Sequence, residues 1–137
     1  MPRTALAFPV SLVAALVLAA CGAAQEPSAD RFSGEEKRVA QAVDDLQSAA
    51  EQGDAAEICS RLLARELVDR IASGGSNCTA ELSKALDDAD DHELAVRGVE
   101  VQGQTATAVV RDSEGAVRSL GFRREGDDWR ATALAAS

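Results

Sequence analysis

The sequence predicts an α+β domain in which three helices precede an antiparallel four-stranded meander. Two observations carry this reading. Apolar residues recur with a period near 3.6 from Val39 to about Ala89, and from Leu94 the period falls to 2. The turn signals between the later runs are short, so each strand folds back on the one before it, and one helical layer covers the resulting sheet.

The elements follow in order. Ser33-Gly34-Glu35-Glu36 has the form of a capping box, with Ser33 accepting from the backbone and Glu36 reaching back. Val39, Ala42, Val43, Leu46, Ala49 and Ala50 then line one face of a first helix, which Gly53 ends. Asp54-Ala55-Ala56-Glu57 repeats the capping box and opens a second helix. Ile58, Cys59, Leu62, Leu63, Leu67, Val68 and Ile71 point inward on it, and Arg61, Arg65, Glu66, Asp69 and Arg70 outward. The run Ser73 to Asn77 stops it, and a third helix to about Asp88 carries Cys78, Leu82, Ala85, Leu86 and Ala89 on one face.

The strands come next. In the first, Val99 and Val101 oppose Glu100, and Gln102-Gly103 is placed as a two-residue hairpin turn. Gln104 to Arg111 sets Ala106, Ala108 and Val110 against Thr105, Thr107 and Val109. Asp112 to Gly115 turns the chain into Val117–Arg124, with Leu120 and Phe122 on one face. Glu125 to Asp128 turns it again, and Trp129–Leu134 closes the sheet.

Ahead of the domain lies a different kind of segment. Arg3 is followed by an apolar run from Ala5 to Ala20, broken only by Pro9 and Ser11, the form of an export signal. The run is short for a membrane span of about 20 apolar residues and lacks a basic flank after it. Its last residues, Leu18-Ala19-Ala20-Cys21, resemble the lipobox of bacterial lipoproteins. That resemblance implies cleavage after residue 20 and a diacylglyceryl group on the Cys21 thiol. Two acyl chains suffice for stable anchoring, so the implied location is the extracytoplasmic face of the cell membrane. Residues 21–33 read as a flexible tether and 34–135 as the domain.

Composition narrows the function classes. Cleavage after residue 20 removes Arg3 from the 14 Lys and Arg and none of the 23 Asp and Glu, so the mature charge is one unit more negative than the −9 of the whole chain. Such an acidic domain does not suit nucleic acid or anionic lipid surfaces, which call for basic patches. With Cys21 assigned, Cys59 and Cys78 remain in an exported chain and read as one disulfide. A metal site would need further ligands, and His92 is the single histidine. No cofactor motif occurs: Ser73 to Asn77 lacks the ending of a phosphate loop.

The order of helices and strands, with "VQGQTATAVV" and "LGFRREGDDWRATAL" in the strands, resembles small secreted members of the NTF2-like superfamily, a cone-shaped α+β fold. The resemblance spans residues 33–135 and implies a Cys pair joining the second and third helices. Enzymes of that superfamily, isomerases and dehydratases, use an acid/base pair inside an apolar cone. Here His92 stands beside Asp90, Asp91 and Glu93 in a helix-to-strand connection, and Tyr is absent. The acidic run from Asp87 to Glu93 lacks the spacing of a calcium loop and reads as a solvated turn. Trp129 and Phe122 are candidates for the wall of a small apolar pocket, Trp129 alternatively for a core anchor. The space between helices and sheet is expected to be filled by Val, Leu, Ala and Trp129. The reading is a membrane-tethered, non-catalytic binding domain for an extracytoplasmic protein or small apolar ligand. The alternative is a small NTF2-like enzyme acting on an apolar small molecule.

Overall fold

In the computed structural model, which describes residues 28–136, the apolar face beginning at Val39 becomes helix α1, Gly34–Glu51, with Val39, Ala40, Val43, Leu46 and Ala49 buried. The expected signal peptide (1–20), the acylation site Cys21 and the first part of the tether lie outside the described residues. The rest of the expected tether is part of the folded body. A 3-10 turn, Ser28–Arg31, runs back along α1 with Ser28 and Ala29 buried, and their backbone N–H groups donate to the Asp44 carboxylate at 3.2 and 2.9 Å. This docking also explains why the capping box at Ser33 does not form. The chain must reverse between the docked turn and α1, and it does so at Gly34 with φ +58°, a conformation that glycine adopts without steric cost. Ser33 keeps the extended backbone of an N-cap, but its side chain makes no capping hydrogen bond.

The four strands are β1, Ala95–Gln102; β2, Thr105–Arg111; β3, Val117–Glu125; and β4, Asp128–Ala136, paired antiparallel in sequence order. Alternation places Ala106, Ala108, Val110, Leu120, Phe122, Trp129 and Ala131 on the buried face. β1 would break that alternation, because Val96 and Val99 are three residues apart. A bulge between Val96 and Gly98 absorbs the odd residue, so Val96 faces Val110 and Val99 faces Ala108. The first hairpin turns one residue later than expected. Gln102 pairs with Thr105, leaving Gly103-Gln104 as the loop, with φ +60° at Gly103, as a type II′ turn requires of its first residue.

The second expected helix is interrupted. α2, Ala55–Glu57, starts as predicted, with the Asp54 carboxylate accepting the Glu57 N–H at 2.9 Å. The backbone then widens into a π turn, Ile58–Leu62, and runs extended through Leu63 and Ala64 before α3, Arg65–Ala72. The extended pair lies along the outer edge of β4: Ala64 N–H donates to the Ala131 carbonyl at 2.8 Å, and Leu63 bridges Ala131 in parallel. A bare sheet edge leaves backbone groups unpaired, and satisfying this one outweighs helix continuity. The β1 edge is covered in a similar way: Val96 N–H donates to Ser28 Oγ at 3.2 Å, and the Arg31 guanidinium donates to the Val96 carbonyl.

α4, Cys78–Asp88, has the predicted bounds, with the Asn77 side chain accepting the Ala80 N–H at 2.8 Å. The expected disulfide is present: Cys59 and Cys78 are bonded across a Cα separation of 6.1 Å. It ties the π turn to the first residue of α4. α1 lies against the sheet, whereas α4 rests on α2, α3 and the π turn. Among the described residues no helix is long and apolar enough to cross a membrane.

Candidate functional site: an apolar cavity beneath the last helix

Because α4 is carried by the other helices, a space remains between it and the end of the sheet. The cavity there is about 460 Å³, within the range of small-molecule sites. Its walls come from each layer: Leu46 and Ala50 of α1, Ile58 of the π turn, Leu82 and Leu86 of α4, and Val110, Leu120 and Leu134 of the sheet. The expectation of a filled interior therefore holds at one end of the domain and fails at the other.

The mouth has a different character. It is framed by the connection from Ala89 to Leu94, the β2–β3 turn at Asp112, Ser113 and Glu114, and Arg118. These loops are held in place by specific contacts. Leu94 N–H donates to Gln47 Oε1 at 2.8 Å, fixing the connection to α1. The Ser113 hydroxyl, followed by the Glu93 N–H, holds the Asp91 carboxyl below its ordinary range. Asp112 is used within its own turn, accepting the Ala116 N–H at 2.8 Å and facing Arg118 at 3.5 Å. His92 is half-buried at this mouth, so the connection read as a solvated turn borders the cavity.

The two residues singled out as pocket candidates lie elsewhere. Phe122 is 2 % exposed and packs within the core between sheet and helices; it does not reach the cavity wall. Trp129 is buried, and its indole N–H donates to Glu35 Oε2 at 2.8 Å, anchoring the start of α1 to β4. That hydrogen bond, then Arg38 and Arg124 nearby, holds the Glu35 carboxyl below its usual range. Trp129 also borders a smaller polar cavity of about 240 Å³ shared with Arg38, Asp45, Arg61 and Arg130. Burial and the neighbouring Asp44 push the Asp45 carboxyl up there.

The cavity residues were visible in the sequence only as ordinary core positions. One signal did point to it: Leu82 and Leu86 are the only large apolar side chains on α4. Two leucines do not fill the space facing Val110, Leu120 and Leu134. No protein-family model, curated protein or solved structure matches the chain.

Proposed function

We propose that the chain is an exported lipoprotein, acylated at Cys21 and held at the extracytoplasmic face of the cell membrane, whose NTF2-like domain is a non-catalytic binding module. The observation that supports the binding role is the cavity itself: a half-open space of about 460 Å³ between α4 and the sheet, with Leu, Ile, Val and Ala on its inner wall. Its wall residues are Leu, Ile, Val and Ala, and the titratable residues bordering it belong to the two mouth loops and Arg118. General acid–base chemistry asks for a titratable group whose pKa is tuned within the site; this wall offers instead a surface that excludes water from an apolar guest. The reading calls on no cofactor, metal or nucleic acid.

Two experiments test it. Detergent partitioning of wild type and Cys21→Ala reports the anchor: wild type is expected in the detergent phase and the variant outside it, and a variant that stays membrane-bound and uncleaved overturns the lipoprotein reading. Titration with N-phenyl-1-naphthylamine, a neutral apolar fluorophore, reports the cavity. Saturable binding that Leu86→Trp removes is the expected result, and the absence of any saturable binding to wild type overturns the binding role.

A further inference from the structure

The mouth of the cavity is charged on one side of the balance. Asp90, Asp91, Glu93, Asp112 and Glu114 border it against a single cation, Arg118. Two of these carboxylates are committed to the loops, Asp91 to Ser113 and Asp112 to Arg118 and its own turn. The side chains of Asp90, Glu93 and Glu114 make no hydrogen bond or ion pair among the described residues. Helix geometry adds to the same field. α4 ends at Asp88 with no basic residue in its last turn, and its C-terminal end leads directly into the mouth. The carbonyl end of a helix carries a partial negative charge that favours cations. Low-dielectric walls behind a ring of like charge concentrate that potential at the opening.

From this we infer that the ligand is an amphiphile with one apolar tail and a cationic head. The tail occupies the space bounded by Leu46, Ile58, Leu82, Leu86, Leu120 and Leu134, and the head remains at the mouth among Asp90, Glu93 and Glu114. An anionic head on the same tail meets uncompensated carboxylates and is rejected. A neutral head gains only the apolar contact. The inference rests on the binding role proposed above and adds the chemical class of the guest.

The test holds the tail constant and changes the head. Decyltrimethylammonium, decyldimethylphosphine oxide and decyl sulfate, each as monomers, are titrated by calorimetry into the mature protein at low and high ionic strength. The expected order is cationic, then neutral, then anionic. The cationic head should bind about tenfold more tightly than the neutral one at low salt, with the advantage shrinking as salt screens the mouth. Asp90→Asn/Glu93→Gln/Glu114→Gln, which removes no contact of the fold, should bring the cationic affinity down to the neutral one and leave the neutral one unchanged. Leu86→Trp should weaken binding of both. Equal affinity for the three heads, or preference for the sulfate, overturns the cationic inference while the binding role stands. Failure of all three to bind overturns both. Binding of the cation that is unchanged in Leu86→Trp places the guest outside this cavity and overturns the inference as well.

Discussion

Removing the disulfide offers a direct test of how α4 is held. The change is Cys59→Ala/Cys78→Ala, which leaves no free thiol at the site. The bridge spans 19 residues of sequence, and closing a loop of that length in the unfolded chain corresponds to about 3 kcal/mol of stability at 25 °C. Cys59 is half-buried and Cys78 buried, and alanine at each removes only the sulfurs, so cavity costs are secondary. For a domain near this size each kcal/mol shifts the melting temperature by roughly 4–8 °C, giving a fall of about 10–25 °C. Total stabilities of about 5–15 kcal/mol leave the variant folded at room temperature. The structure also says where the loss is felt first. α4 rests on α2, α3 and the π turn, with the cavity between it and the sheet, so releasing its first residue loosens a wall that the sheet does not support. Urea titration followed by circular dichroism measures the global loss, and native-state amide exchange locates it. Amides of α4 should exchange well before those of β2 and β3, and apolar probe binding should weaken in step. An unchanged urea midpoint, or α4 amides as protected as those of the central strands, would refute this account.

Other perturbations read out other contacts. Glu35→Gln should lower the melting temperature at neutral pH and shift Trp129 fluorescence. The wild-type advantage should disappear as pH drops through the depressed Glu35 range, because a carboxyl held low when folded stabilises only while ionised. Asp45 has the opposite sign. Its carboxyl is pushed up on folding, so it favours the fold in acid and loses that contribution as pH rises. Asp45→Asn should therefore raise stability slightly at neutral pH, by about half a kcal/mol or less given its solvent screening, and thermal melts across pH should show the gain vanish in acid. Asp44→Ala strips the acceptor from two backbone N–H groups at Ser28 and Ala29. A loss of about 1–3 kcal/mol and rapid exchange of both amides are expected. Phe122→Ala, in the centre of the core, should cost about 3–5 kcal/mol in the same urea assay.

Much of the fold was legible because local and global preferences agree along most of the chain. α4 begins and ends where the break at Ser73 to Asn77 and the periodicity put it, and the meander follows from alternation and turn residues. The departures share a cause: a partner distant in sequence. Leu62, Leu63 and Ala64 continue a helical pattern, and only the exposed edge of β4 gives the chain a reason to leave it. Ser28 to Phe32 has the composition of a spacer. Its docking depends on Asp44, which the helical pattern assigns no inward role. Beyond the two leucines of α4, the cavity left little trace in the sequence, for a related reason. Periodicity names the inward face of α4 and of the sheet, but the distance between the two faces is set by α2 and α3 beneath α4. The pocket candidates Phe122 and Trp129 are large aromatic side chains, and such residues are drawn into a filled core.

The docking of the Ser28–Arg31 turn has a consequence for reach. It places residues 22–27 between the proposed anchor and the first described contact. Even fully extended, six residues span only about 20 Å, comparable to the dimensions of the domain itself. On the proposed anchoring at Cys21, chain length alone therefore keeps Ser28 within about 20–25 Å of the acylated residue. The described chain begins at Ser28, beside Asp44 and Val96, close to where Gln47 fastens the mouth connection at Leu94. The mouth connection and the point where the described chain enters the domain therefore lie close together.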